Sequence, residues 1–320
     1  AGAGIITKII GFAYRIPMGN MMGDEGNGLY SVAFGIYGIA LTISSYSLPL
    51  AVSKMVSARI AKAEYQNMRR VLVSALVYAL IAGLLAMNVL YFGAGVMEKL
   101  YHRPGIERPL KVLAPTTFIV ALLGVFRGYF QGHGDMVPTS VSQILEQIVN
   151  ACISVFATWQ FMNMYGTSKH AASYAAAGGT LGTLAGAAIA LLFIMYLFGT
   201  TRKRYMNKVN PGEQIESSSS IYRGLFLTII PVILSQTVYQ IGYTIDDLMF
   251  GNLMALHEYK DEVVSSLQGV YNAQYNQLVN LPVAVATAMA ASTLPSIVLS
   301  RMQNDIQGVN QKITQVIKVN

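Results

Sequence analysis

Uncharged, apolar stretches long enough to cross a bilayer alternate with short polar connections along the whole chain. Between Glu25 and Lys54 lie 28 uncharged residues, and between Arg70 and Glu98 lie 27. The gap from Glu146 to Lys169 is 22, from Lys169 to Arg202 it is 32, from Arg223 to Asp246 it is 22, and from Glu262 to Arg301 it is 38. A helix needs about 20 mostly apolar residues to span the hydrocarbon core. Two further runs carry internal charge: 1–22, with Lys8 and Arg15, and 110–131, with Arg127. The pattern predicts an all-α, polytopic membrane bundle of eight helices. They fall near 1–22, 27–50, 70–95, 110–131, 137–163, 171–199, 222–250 and 268–298, with the start of a ninth in 303–320. None of these runs has the period-two alternation of a β-barrel.

The one extended polar segment is 201–220, which contains Pro211-Gly212 and the serine run Ser217 to Ser220. It reads as a linker. The expected organisation is a first lobe over 1–200 with helices one to six, the linker over 201–220, and the start of a second lobe over 221–320. A repeat crosses the linker. Gly28-Leu29-Tyr30 opens the second helix and Gly269-Val270-Tyr271 the eighth, at an offset of 241. Ser47-Leu48-Pro49 through Lys54 parallels Thr293-Leu294-Pro295 through Arg301, with the prolines 246 apart. Equal helix order and orientation suit a parallel repeat about an axis along the membrane normal. Two six-helix lobes are then expected, the second truncated here. The chain opens at Ala1, inside an apolar run, and is expected to be a piece of a longer protein.

Composition narrows the class. Hydrophobic residues make up 53% of the chain and charged ones only 12%, about half the usual ~25% of a soluble domain. That excludes an ordinary soluble enzyme and a disordered chain. A net charge of +7 would suggest nucleic acid in a soluble protein, but here the basic residues sit in connections between uncharged spans. With the amino terminus cytoplasmic, 13 lysines and arginines fall inside and six outside, which the positive-inside rule favours. The single Cys152 excludes an intrachain disulfide, and four scattered histidines make no zinc pattern. No Gly-Lys dipeptide occurs, so there is no Walker A loop; Gly-x-Ser-x-Gly and His-Glu-x-x-His are absent too. No cofactor is expected, and any energy source is a coupling cation or the membrane potential. A monomer is expected.

Four groups of residues are candidates for a site. Lys8 and Arg15, seven apart, would share one face of the first helix. A charge at bilayer depth costs about 2.5–3.5 kcal/mol on insertion scales, so two on one face call for a wet cavity or an anionic ligand. Lys8 could instead snorkel to the interface. Arg127 and Glu146 face each other across a tight turn as a structural or gating ion pair. Asp246 and Asp247 end an otherwise uncharged helix, and one of them could hold a coupling ion. Asn276, Gln277 and Asn280 lie in a polar stretch able to bind sugar hydroxyls or neighbouring helices. Gly178, Gly182, Gly186 and Ala190, four apart, read as a helix-packing ribbon.

The stretch Arg127-Gly128-Tyr129-Phe130-Gln131-Gly132, followed by Pro138-Thr139, Ser142-Gln143 and Glu146-Gln147, resembles a family signature. That family is the stage V sporulation protein B and polysaccharide-biosynthesis family of the MOP flippase superfamily, related to MurJ-type lipid II flippases. Gly11-Phe12, Gly26-x-Gly28-Leu29-Tyr30, Leu48-Pro49, Leu281-Pro282 and Leu294-Pro295 extend the resemblance over essentially the whole chain. It implies two six-helix lobes around a central cavity, and alternating-access export of an undecaprenyl-diphosphate-linked peptidoglycan or polysaccharide precursor. It also implies a multi-pass protein of the bacterial cytoplasmic membrane, with the lipid-linked saccharide and the bilayer as its partners and no nucleic acid. The family expectation of cavity-lining basic residues falls on Arg15, with Lys8 in support. The second helix offers no cation before Lys54, and the eighth has Gln277 where a basic residue is expected. Alternatives are a multidrug/cation antiporter of the same superfamily, or a membrane-embedded glycosyltransferase or ligase, for which no catalytic constellation is present.

Overall fold

The computed structural model describes residues 2–206, 210, 212–276, 278–279 and 305–319. These form helices α1 (Gly2–Ala13), α2 (Arg15–Ser44), α3 (Leu48–Ala61), α4 (Tyr65–Leu100) and α5 (Glu107–Gly132). Then come α6 (Val137–Tyr165), α7 (Ala171–Met206), α8 (Ser218–Leu256), α9 (Asp261–Gly269) and α10 (Ile306–Val319). A π-helical turn, Val270–Tyr275, follows α9 directly. Among the described residues there is no strand.

Among the described residues, six helical stretches are long and apolar enough to cross a membrane: Arg15–Ala61, Tyr65–Leu100, Glu107–Gly132, Val137–Tyr165, Ala171–Arg202 and Ser218–Val238. Spans four to seven of the hydropathy pattern thus appear within a few residues of their expected positions, as does the third. The first two do not. The expected helix 1–22 pauses at Tyr14, because Pro17 has no N–H to offer the carbonyl of Ala13 four residues back. Its remainder then runs into the second, with a kink at Gly23 (φ 67°, ψ 177°), a backbone setting that only glycine adopts readily. The expected helix 27–50 ends at Ser44, and a new helix starts at Leu48 with Pro49 in its first turn, where a missing N–H costs nothing. Most of the expected span 268–298 lies outside the described residues, as does the repeat segment 293–301.

The apolar surface is turned outward as well as inward. On α4, Leu85, Val89 and Phe92 are exposed, and on α7, Leu192 and Tyr196 are too. Such faces belong against lipid rather than water. The buried clusters sit between helices. One joins α3, α4, α5, α7 and α8 through Leu48, Val52, Met68, Phe130, Ile194 and Leu225. The other joins α2, α4, α5 and α7 through Met18, Leu29, Tyr37, Leu90 and Leu110.

The glycine ribbon lies at the α6–α7 contact, the most extensive helix pair in the molecule. A Cβ on Gly178 would stand 2.9 Å from the backbone of Ala157 and Thr158, and one on Gly186 2.5 Å from the carbonyl oxygen of Glu146. A Cβ on Gly182 would fall 2.6 Å from the Ser154 nitrogen and closer still to Ser154 Oγ and the Asn150 carbonyl. Only hydrogen fits at these positions.

The polar segment before α8 is pegged over 212–217. The Glu213 carboxylate accepts the amide hydrogens of Gln66 (2.8 Å) and Asn67 (2.6 Å), two orphan donors in the first turn of α4. The Asn67 side chain donates to the Gln214 carbonyl and accepts from the Glu216 amide, each at 2.8 Å. Arg59 closes on Glu216 at 2.7 Å. Ser217 then caps α8, its hydroxyl oxygen accepting the Ser220 amide.

Candidate functional site

The interior polar groups line up on α6. Ser142, Glu146, Asn150, Ser154 and Thr158 recur every four residues and so form one stripe. All but Glu146 are buried, and Glu146 is half-buried. At one end, Arg127 from α5 donates from Nη2 to Glu146 Oε2 at 2.8 Å and from Nε to Ser142 Oγ at 2.9 Å. The turn between the two helices makes this geometry, with Gly134 in the left-handed region (φ 78°). The side chains of Arg127 and Glu146 are 12% and 23% exposed, so the ion pair is held mainly inside the bundle. Replacing Glu146 with Gln leaves an acceptor but strips the balancing charge. We expect a loss of about 2 kcal/mol, less than the ~3–5 kcal/mol of a fully buried pair. Membrane abundance of Glu146→Gln should therefore fall several-fold, while surviving protein keeps its substrate affinity. A stable, abundant variant without binding would assign Glu146 to the substrate instead.

Further along the stripe the balance of charge changes. Asn150 Nδ2 donates to Tyr14 Oη at 3.3 Å, and Ser154 Oγ lies 2.9 Å from Asn150 Oδ1. Tyr14 occupies the pause between α1 and α2, so the break set by Pro17 brings its hydroxyl to α6. Arg15, the next residue, begins α2 with its guanidinium beside the hydroxyls of Tyr30 and Tyr14 rather than beside a carboxylate. Its Nε is buried and makes no hydrogen bond. Among the described residues Arg15 forms no salt bridge. Lys8 is exposed on α1, the helix before the one that Arg15 begins.

The second half of the chain contributes a separate cluster. Asp246 is exposed, whereas Asp247 is half-buried and accepts a hydrogen bond from Gln268 Nε2 on α9. Gln268 Oε1 in turn accepts from Arg103 Nε at 3.1 Å. Arg103, in the α4–α5 connection, is only 1% exposed and lies over the Phe250 ring at 5.8 Å. Its burial lowers the guanidinium pKa, against the opposing pull of Asp261 and Asp247. Burial pushes the neighbouring Tyr101 hydroxyl up to about 12, with Asp247 adding to it. Beside this cluster α2 and α9 meet backbone to backbone: a Cβ on Gly28 would stand 2.8 Å from the Ser265 carbonyl carbon, and one on Gly269 2.9 Å from Gly28 N. Asn276 Nδ2 donates to Asn272 Oδ1 at 3.1 Å. Gln277 and Asn280 lie outside the described residues. Among the described residues no group of three or more His, Cys, Asp or Glu side chains could hold a metal ion.

Of the residues singled out from the sequence, the structure joins Arg127 to Glu146 and leaves Arg15 apart with tyrosines. Arg103 was read from the sequence only as an outer cation, and its partner stands 165 positions away. Tyr14 carries no sequence signal of its own, Tyr30 stands in the repeat and the family motif without a role, and Asn150 shows only in the four-residue polar spacing on α6.

The profile of the family described as polysaccharide biosynthesis protein matches residues 1–303. The stage V sporulation protein B of Bacillus subtilis is 26% identical over 323 residues, covering 99% of this chain and 60% of that protein. The lipid II flippase MurJ of the same organism is 25% identical over 327 residues, covering 98% of this chain and 59% of that one. The chain thus spans about 60% of the length of these relatives. Among solved structures, an inward-facing multidrug resistance MATE family transporter of the MOP superfamily superimposes with a TM-score of 0.68 at 16% identity, over 99% of this chain and 70% of its own. A MOP superfamily transporter from Pyrococcus furiosus gives 0.64 at 16% identity, over 99% and 67%. The two solved structures show the fold: an all-helical bundle arranged like theirs.

Proposed function

We propose that this chain, which belongs to the polysaccharide biosynthesis protein family, is the larger part of a flippase. Its cargo is a saccharide linked to undecaprenyl diphosphate, moved across the bacterial cytoplasmic membrane by alternating access. The observation that supports this best is Arg15. A half-buried guanidinium with a buried, unbonded Nε donor, bordered by hydroxyls and without a carboxylate, is built to accept an anion. A diphosphate supplies that anion. A cation antiporter would need a carboxylate where Arg15 stands. The amino terminus is cytoplasmic on this reading, and a cation gradient or the membrane potential drives the cycle.

The reading makes the protein a carrier and not a catalyst. In vesicles holding the full-length protein and a fluorescent polyprenyl-diphosphate saccharide, the label should become accessible from the opposite leaflet with its mass unchanged. A changed mass would make the protein an enzyme, and unchanged accessibility would sink the flippase reading.

A further inference from the structure

A row of buried polar groups runs from α7 through α6 to Arg15. Ser154 Oγ lies 2.7 Å from the Gly179 carbonyl oxygen and 2.9 Å from Asn150 Oδ1, and Asn150 Nδ2 lies 3.3 Å from Tyr14 Oη. The Tyr14 hydroxyl is hydrogen-bonded in turn to the Arg15 guanidinium. Asn150, Ser154 and Tyr14 are all buried, so these groups must satisfy one another rather than bulk water.

Counting hydrogens decides how they do so. A serine hydroxyl carries one hydrogen, and with Asn150 Oδ1 towards Ser154 two acceptors compete for it. A carbonyl can only accept, so the Ser154 hydrogen goes to Gly179, and the other contact then presses lone pair against lone pair. An asparagine amide has nearly the same outline turned end for end. Turned, Asn150 donates from Nδ2 to Ser154 Oγ and accepts from the Tyr14 hydroxyl at Oδ1. Each contact in the row then holds one hydrogen. Tyr14 has no hydrogen left to point at Arg15 and meets the guanidinium with lone pairs alone.

Resting on the reading of Arg15 as the anchor of an anionic headgroup, we infer that Asn150 is a positioning residue for that anchor. Held by Ser154 with its amide turned, Asn150 takes the Tyr14 hydrogen, and the tyrosine oxygen thereby fixes the direction of the guanidinium. Asn150 touches no ligand in this role. One guanidinium donor is occupied by Tyr14, and the unbonded Nε is among those left for the anion.

The test uses full-length protein in detergent. Native mass spectrometry gives the dissociation constant of a C55 polyprenyl diphosphate, and the melting temperature without ligand is measured beside it. Asn150→Leu and Tyr14→Phe should each weaken binding about fivefold, the worth of one neutral hydrogen bond. The double variant should also be about fivefold weaker rather than about twenty-fivefold, because both changes act through one hydroxyl. Arg15→Gln loses charge-assisted bonds and should be about thirtyfold weaker. In that background neither Asn150→Leu nor Tyr14→Phe should weaken binding further. A merely structural asparagine would lower the melting temperature and leave the affinity of surviving protein alone. Losses that multiply, or that persist beside Arg15→Gln, overturn the positioning role, as does unchanged affinity in Tyr14→Phe. Should Asn150→Leu fail to fold, Ser154→Ala takes its place: it frees the amide and should weaken binding only while Tyr14 is present. Unchanged affinity there overturns the inference too. Binding that Arg15→Gln leaves intact overturns the anchor and this inference with it. Absence of binding to the unaltered protein overturns the proposed function as well.

Discussion

Arg15→Ala is expected to abolish complementation of flippase-depleted cells while the protein stays at normal abundance in the membrane. The argument is one of cost. A cation at bilayer depth opposes insertion by about 2.5–3.5 kcal/mol, so removing it should ease insertion rather than harm it. Arg15 makes no salt bridge among the described residues, its Nε is unbonded, and its bond to Tyr14 is to a neutral hydroxyl, so only about 1 kcal/mol of folding energy is lost with it. What is lost is the donor set facing the anion. Arg15→Lys keeps the charge without the planar fork that grips two phosphate oxygens, and should retain partial activity. A structural arginine would behave otherwise: alanine would lower abundance and lysine would restore it. Growth should be scored beside membrane abundance for each variant. Normal growth of Arg15→Ala at normal abundance removes Arg15 from the substrate site.

The second large effect is predicted for Gly182→Leu. Here the expected loss is of the protein itself. The Cβ alone would collide with Ser154 and with the Asn150 carbonyl, and both obstacles are parts of α6 that cannot swing aside. Overpacking a close contact costs about 1–3 kcal/mol and more when backbones must separate. Forcing α7 off α6 would also break the approach of Ser154 Oγ to the Gly179 carbonyl at 2.7 Å, and displace Asn150 from Tyr14. Membrane abundance should fall at least about fivefold, since even 1–2 kcal/mol shifts steady-state levels several-fold. Gly199→Leu on the same helix meets open space and serves as the control. Equal abundance of the two variants would show that the α6–α7 seam tolerates separation.

How much of this was legible in the sequence differs by physical cause. Spans three, five, six and seven follow from charge-free length, because bilayer thickness dictates them directly, and the fourth follows from its apolar run despite Arg127. The ribbon of Gly178, Gly182 and Gly186 was legible because close helix approach demands small residues at a fixed spacing. The breaks were not. An apolar run reads alike whether a helix continues or pauses, and the effect of Pro17 is felt three residues earlier, at Tyr14. The kink at Gly23 depends on a positive φ that no hydropathy pattern records. Arg127 and Glu146 were paired from their positions across a tight turn, a local relation. Arg103 and Gln268 meet only through the packing of distant helices, and Arg103 stands in a short connection where exposure is the ordinary expectation. The tyrosine surroundings of Arg15 come from the fold, which brings Tyr30 beside it.

The pegged segment before α8 has a mechanical consequence. Because Glu213 and Glu216 are bound to the foot of α4 and to Arg59, α8 starts from a fixed fulcrum rather than from slack chain. Its 39 residues then act as a lever arm about 58 Å long at 1.5 Å per residue. Asp247 sits about 44 Å along that arm from Ser218. A tilt of about 5° at the foot sweeps it through about 4 Å at this rise per residue. A displacement of that size would exceed the reach of its hydrogen bond to Gln268, provided the helix stays straight through Pro231.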